Sequence, residues 1–294
     1  MRNIDEDTIT QIVLARHTEA ENPRLKQIMT SIVQHLHAFA RDVQLSEEEW
    51  FHGIQFLTDV GHITDDKRQE FILLSDTLGL SMLVTALNNR KPRGCTESTV
   101  FGPFFVEDAP HYENGDDVGN GAKGEPCFVT GRVTGLDGEA IANARIDVWQ
   151  ADSDGFYDVQ YAEAGSAHGR GTLHSLADGS FHFRSITAES YPIPHDGPVG
   201  RMLAALGRHP WRPAHLHFMI DAPGYERLIT HVFRSGDKYL DSDAVFGVRS
   251  SLIANWERHE SGKAPDGSHQ ESPFSTLDFT FVLNRLDGER HRNQ

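Results

Sequence analysis

Cysteine is scarce in this chain: two in 294 residues, Cys95 and Cys127, with no CxxC pair. That excludes a disulfide framework and the small stapled secreted scaffold, and two reduced thiols inside a cell are the expectation. Long apolar runs are missing too. Stretches such as Phe71–Leu74 fall far short of the ~20 residues a membrane helix needs, so no membrane insertion is expected. Basic charge is in deficit, with 27 Lys and Arg against 43 Asp and Glu and a net charge of −16. No nucleic-acid partner is expected, because phosphates are neutralised by a basic stripe. The opening Met1-Arg2-Asn3-Ile4-Asp5-Glu6-Asp7 offers no apolar signal-peptide core, and a cytoplasmic protein is expected. Neither HExxH nor G-x-S-x-G occurs, which removes the helical zinc-protease site and the serine-hydrolase elbow.

What is present divides into two textures that meet near residue 98. In the front, Leu25, Ile28, Met29, Ile32, Val33, Leu36 and Phe39 recur at three- and four-residue intervals across Pro23–Val43, one apolar stripe on a helix. Ser46-Glu47-Glu48-Glu49 is a capping box for a second helix. A third helix is expected over Asp65–Asn88, with Gly79 as a tolerated interruption, before Lys91-Pro92-Arg93-Gly94 breaks the pattern. Behind residue 98 the alternation has period two, at Val129–Val133, Ile146–Val148, Leu216–Ile220, Leu228–Phe233 and Leu277–Leu283. Ala177-Asp178-Gly179-Ser180 reads as a hairpin turn between Thr172–Ser175 and Phe181–Arg184. Glu107–Pro126 reads as an exposed loop and Gly288–Gln294 as a frayed tail. The fold class is therefore mixed: an all-β sandwich body behind an N-terminal α-helical region.

The sharpest chemical signal is Arg212-Pro213-Ala214-His215-Leu216-His217-Phe218-Met219-Ile220. On a strand, His215 and His217 project from one face while Leu216, Phe218 and Ile220 face the other. Two imidazoles side by side form half a metal site, although two buried histidines with ordinary hydrogen bonds satisfy the same motif. Zinc hydrolases that use HxH usually continue with an Asp-His pair, whereas Asp221 here precedes Ala222-Pro223. Nearby tyrosines in turn-like settings are Tyr157, in Asp154-Gly155-Phe156-Tyr157-Asp158, and Tyr191, in Tyr191-Pro192-Ile193-Pro194. A phenol with a pKa near ~10 ligates only a hard, highly charged ion. Taken singly, each tyrosine fits an amphipathic place at a sheet rim better than a ligand's place.

In this order, the residues resemble the intradiol ring-cleavage dioxygenases along nearly the whole chain. Five blocks carry the resemblance: Thr96–Phe104, Asp147–Asp152 with Asp154–Tyr157, Tyr191–Pro194, Arg212–His217 and Gly236-Asp237-Lys238-Tyr239-Leu240. The resemblance implies one Fe(III) per chain, held by Tyr157, Tyr191, His215 and His217. It makes Tyr191 the ligand that leaves the metal as a diphenol binds, and Arg212 the cation beside the site. His231 stands where many catechol-cleaving relatives carry glutamine, so it joins Arg212 and Tyr191 as a candidate catalytic residue whose role stays open. The front, residues 1–98, is implied to be a helical linker and dimerisation domain of a homodimer, with a phospholipid in its tunnel. Residues 99–294 would be the β-sandwich catalytic domain.

Within the family, Val100–Pro110 and Leu228–Phe233 look most like the branch that opens hydroxyquinol, benzene-1,2,4-triol, to 3-hydroxy-cis,cis-muconate. The implied pocket wall is Leu73, Asp76, Val100, Phe101, Gly102, Ile193, Pro194, Arg212 and Val245. Asp76 is the wall's carboxylate, suited to a third hydroxyl. The alternatives are a catechol or chlorocatechol 1,2-dioxygenase and, from another class, a zinc-stabilised β-sandwich binding module.

Overall fold

The computed structural model describes residues 4–65, 68–161 and 167–286; the expected tail at Gly288–Gln294 lies outside them. Two compact units divide the chain, Met1–His62 and Ile63–Gln294. In the first, a short helix α1 (Ile9–Ala15) precedes the long α2 (Pro23–Asp42). Asn22 Oδ1 accepts the Arg24 and Leu25 amides and Pro23 supplies a pre-set φ, so α2 begins where cap and proline coincide. Its apolar stripe, Leu25, Ile28, Met29, Ile32, Leu36 and Phe39, is exposed. The helix α3 (Glu47–Ile63) carries the expected capping box: Ser46 N donates to Glu49 Oε2 at 2.9 Å and Glu49 N to Ser46 Oγ at 3.2 Å.

The second unit begins with α4 (Glu70–Thr77) and α5 (Leu80–Asn88) rather than the single helix expected over Asp65–Asn88. Residues 66 and 67 of that range are outside the described ones. Gly79 sits at φ +75°, a left-handed conformation that cannot propagate a right-handed helix, and its amide closes on Asp76 O. The two helices meet there at 78°. No single helix among the described residues is long and apolar enough to cross a membrane; this bent pair passes by length and composition only.

The β body follows in order: β1 (Pro126–Gly135), β2 (Arg145–Trp149), β3 (Arg170–His174), β4 (Ser180–Ile186) and β5 (Tyr191–Pro192). After helix α6 (Pro198–Ala205) come β6 (Trp211–Arg212), β7 (His215–Asp221), β8 (Leu228–Arg234), β9 (Ile253–Ala254) and β10 (Trp256–His259). The series ends with β11 (Gly262–Lys263), β12 (His269–Gln270) and β13 (Phe274–Leu283). One sheet runs β10-β13-β1-β4 and the other β3-β2-β7-β8-β9, while β5-β6 and β11-β12 form two-stranded ladders. Both main sheets supply one core: Val129, Val133, Phe181, Phe183 and Phe281 from the first, and Ile146, Val148, Leu173, Leu216, Phe218 and Ile220 from the second. This is the expected sandwich.

Two sequence expectations need correction. The Ala177–Ser180 turn does not close a hairpin, because β3 and β4 belong to different sheets. Leu173 and Phe181 both enter the core, and they do so from facing layers rather than as neighbours on one surface. Nor is Glu107–Pro126 simply an exposed loop. Ala109 and Val118 are buried, and bridges His111↔Thr172 and Asp117↔Arg184 stitch it to one strand of each sheet. Its polar composition hid backbone pairing that uses no apolar side chain. Cys95 and Cys127 are unpaired, and burial pushes the Cys127 thiol up, away from its reactive form.

Candidate metal centre

The pleat of β7 sends Leu216, Phe218 and Ile220 into the sandwich core, leaving His215 and His217 on the opposite face. Register then builds a row across that face, with Trp149 of β2 and His231 of β8 flanking His217. Trp149 stacks on the His217 ring at 4.7 Å and 20°. Gly102 closes another side: at φ +79°, an added Cβ would stand 3.4 Å from His217 Cε1.

Tyr157 arrives from the loop after β2, where Gly155 turns the chain at φ +84° and Asp152 accepts the Asp154 and Phe156 amides. Two contacts hold it. Asp158, the next residue, makes a buried ion pair with Arg170, whose Nη1 also donates to Phe104 O at 2.9 Å, and the Phe104 ring stacks on Tyr157 at 4.4 Å. Tyr191 pairs with Arg212 in the β5-β6 ladder, which brings phenol and guanidinium to one place. Asp237, from the Gly236–Leu240 block, clamps this edge. Its Oδ2 accepts the Ser190 hydroxyl at 2.5 Å and the Ala214 amide at 2.9 Å, so one carboxylate ties the neighbour of Tyr191 to the neighbour of His215.

The four donor atoms converge. Tyr157 Oη lies 3.1 Å from Tyr191 Oη and 2.9 Å from His217 Nε2, and His217 Nε2 lies 3.1 Å from His215 Nε2. None of the four residues is more than 5% exposed. His215 Nδ1 lies 2.7 Å from Pro213 O and donates there, which leaves the Nε2 lone pair facing the cluster. His231 also belongs to the histidine group, whose ligand atoms lie within 4.8 Å of one another. Its nitrogens are engaged elsewhere, Nε2 with His217 Nδ1 at 2.8 Å and Nδ1 with Thr99 Oγ1 at 2.7 Å.

Electrostatics prepare this set for a cation. Burial, reinforced by the Arg212 charge, pushes His215 down to about 3, and burial beside His215 holds His217 well below the usual histidine range. Both imidazoles are neutral at pH 7. Burial and the adjoining Tyr191 hold the Tyr157 phenol well above its ordinary pKa, so only a strong positive charge at the cluster draws off its proton. Two phenol oxygens with two neutral imidazoles fit a hard, highly charged ion better than a soft one.

Arg212 stands at the edge of the cluster, Nη1 3.3 Å from His215 Nε2. Burial alone would weaken its hold on its proton, but the Asp243 carboxylate more than compensates, and Arg212 stays charged. The pair is bidentate, Nε to Oδ1 at 3.0 Å and Nη2 to Oδ2 at 3.3 Å. The Val245 and Gly247 amides complete the Asp243 shell at 3.3 and 2.9 Å.

Of the expected wall residues, Leu73 and Asp76 lie three positions apart on α4 and are both buried, as are Val100, Ile193 and Val245. Pro194 is half-buried. Phe101 is 39% exposed at the rim, its ring against Phe105 and Trp149. Burial pushes the Asp76 carboxyl up, against a Ser81 hydrogen bond, and the Arg212 and Asp243 charges both reach it. Sequence reasoning missed Asp243, the Asp158–Arg170 pair and Thr99. One signal was available: a buried arginine needs a buried acid.

Residues 100–285 match the family model described as dioxygenase, and residues 22–96 match catechol dioxygenase N terminus. The chain is 63% identical over 284 residues to the 6-chlorohydroxyquinol 1,2-dioxygenase of Cupriavidus pinatubonensis, covering 97% of this chain and 99% of that one. The solved structure of hydroxyquinol 1,2-dioxygenase from Pseudomonas putida DLL-E4 superposes with a TM-score of 0.89 at 46% identity, over 96% and 99% of the two chains. That of catechol 1,2-dioxygenase from Pseudomonas arvilla C-1 gives 0.84 at 29%, over 97% and 92%.

Proposed function

The chain belongs to the intradiol ring-cleavage dioxygenases, and from that premise we infer that it is a hydroxyquinol 1,2-dioxygenase. It opens benzene-1,2,4-triol between its adjacent hydroxyl-bearing carbons, placing both atoms of O₂ in 3-hydroxy-cis,cis-muconate. The observation that carries the reading is the convergence of Tyr157 Oη, Tyr191 Oη, His215 Nε2 and His217 Nε2 in a buried cluster. The metal we propose there is one Fe(III) per chain. When bound, such an ion supplies Lewis acidity, favouring loss of the diphenol protons and drawing ring electron density towards reaction with O₂.

The residues themselves divide the remaining work. Tyr157 is the fixed phenol, stacked on Phe104 and anchored through Asp158. Tyr191 is, by the family resemblance, the phenol that leaves the metal, and its Oη takes up a substrate hydroxyl proton. Arg212, held by Asp243, places a permanent positive charge beside the cluster to stabilise negative charge developing on ring and oxygen. Phe101, Phe105 and Trp149 pack against one another beside His217 and exclude water. Asp76 accepts the third hydroxyl.

Loaded with iron, the purified protein should be wine-red from phenolate-to-Fe(III) charge transfer and consume O₂ with benzene-1,2,4-triol. A clear preference for catechol would overturn the triol assignment. A colourless chain with stoichiometric zinc and no activity after iron loading would favour the binding module. The D76A variant should lose about 10²-fold in kcat/KM for the triol, while its catechol turnover changes less than about threefold, because only the triol loses a buried partner. Equal losses on both substrates in steady-state assays would remove Asp76 from substrate selection.

We also propose that residues 1–98 form the linker and dimerisation domain of a cytoplasmic homodimer that holds a phospholipid, and that residues 99–294 are catalytic. The exposed apolar stripe on α2 supports the pairing, and the two unpaired cysteines suit a reducing compartment. Sedimentation, and mass spectrometry of an organic extract, test the dimer and its lipid.

A further inference from the structure

We propose that His231, backed by Thr99, is a positioning residue that fixes which nitrogen of His217 faces the metal. The proposal rests on the reading of Tyr157, Tyr191, His215 and His217 as ligands.

The two ligand histidines face the same problem with different means. A ligating nitrogen must present a lone pair, so the ring's proton must sit on the other nitrogen and needs an acceptor there. For His215 that acceptor is the Pro213 carbonyl, 2.7 Å from Nδ1, which lies outside β7, two residues before it on the chain. His217 lies inside β7 between β2 and β8, where the neighbouring carbonyls serve the sheet ladder. A side chain has to do the work.

Register supplies it. His231 is the residue opposite His217 on β8, its Nε2 2.8 Å from His217 Nδ1. His217 Nε2 faces the cluster, 2.9 Å from Tyr157 Oη and 3.1 Å from His215 Nε2, so the proton belongs on Nδ1 and is donated to His231 Nε2. His231 must then carry its own proton on Nδ1, and it donates to Thr99 Oγ1 at 2.7 Å. Each member fixes the tautomer of the one before it. Thr99 is itself held by its amide on Ile229 O at 3.0 Å. His231 is fully buried, and the stacked Trp149 covers one face of the His217 ring.

The same geometry argues against His231 as a third histidine ligand. One of its nitrogens is used on the side of His217 that faces away from the cluster, and the other is used by Thr99. What position 231 requires is an acceptor for His217 Nδ1–H. A glutamine carbonyl meets that requirement and a leucine does not.

The test compares the parent chain with H231Q, H231L and T99V, each stripped with a chelator and reloaded. The readouts are iron per chain, affinity for Fe(III) by chelator competition, and the melting temperature of the metal-free protein. H231L should bind Fe(III) about 10- to 100-fold more weakly. H231Q should stay within about threefold of the parent, and T99V should fall between. Nitrogen NMR of the Ga(III)-loaded parent should find the His217 proton on Nδ1. If H231L and T99V both bind iron as tightly as the parent, the positioning role is wrong. If H231Q loses iron as completely as H217A, His231 is a ligand and the proposal fails. A parent chain that takes up no iron would sink the metal centre as well, an outcome distinct from either. Should H231L not fold, T99V and H231Q still decide, because each keeps a polar side chain or a similar volume.

Discussion

The D243A variant is expected to be about 3–5 kcal/mol less stable than the parent and to turn substrate over about 10²-fold more slowly. Arg212 and Asp243 are 4% and 5% exposed. Burial would raise the Asp243 carboxyl, but the Arg212 charge and its hydrogen bonds override this and hold it below the usual carboxylate range. Alanine removes the counter-charge and leaves the guanidinium buried without it, with the Val245 and Gly247 amides also losing their acceptor. That stranded charge, rather than the lost attraction, dominates the cost. The double variant R212M/D243L should therefore recover much of the stability, because two apolar side chains replace a pair whose desolvation is expensive. It should not recover activity, since no cation remains beside His215. Guanidine unfolding and steady-state kinetics on the parent, D243A and R212M/D243L separate the two effects. D243A within about 1 kcal/mol of the parent would mean that water reaches Arg212, contrary to its burial.

The features that the sequence made legible are local ones. Period-two alternation over Leu216–Ile220 was enough to put His215 and His217 on one face, because the pleat leaves no other choice. Ser46 with Glu49 was enough to start a helix. Neither tyrosine was legible from its surroundings as part of the histidine cluster, since their approach to it depends on a turn at Gly155 and a two-residue ladder that carry no periodic signal. Ordered blocks of family resemblance supplied that step. The supports of the site were harder still. Asp243 meets Arg212 across 31 positions and Asp158 meets Arg170 across 12, and no local pattern singles out one buried acid among 43 acidic residues. Asp237 lay inside a recognised block, yet its use as a clamp depends on bonds to two separate segments. The failure at Gly79 is of another kind. Composition favoured a continuous helix, and one residue with access to positive φ decided otherwise.

Acid should unfold the metal-stripped protein early, with most of its stability lost between pH 6.5 and 5. Burial holds His215 down to about 3 and pushes His217 and His231 well below the usual range, whereas in the unfolded chain each titrates near ~6.5. Below that value the unfolded state binds protons that the folded state refuses. Stability is therefore full above pH 6.5 and falls as the pH drops towards the folded values. The three side chains are independent once unfolded, so each contributes up to about 1.4 kcal/mol per pH unit below ~6.5, and the three slopes add. A typical domain has only about 5–15 kcal/mol in all. The Asp243 carboxyl, held low, adds a loss of the same sign at lower pH. Asp76, held high by burial, opposes it as a single group. Bound iron should move the collapse to lower pH, because a ligand that binds only the folded state adds RT ln(1 + [L]/Kd). The measurement is the guanidine midpoint of stripped and loaded protein from pH 8 to 5. In H231Q the slope below pH 6.5 should shrink by about a third, since one of three buried imidazoles is gone. A flat profile across that range would mean that the histidines are not held neutral by the fold, and an unchanged slope in H231Q that His231 is not one of the groups that set it.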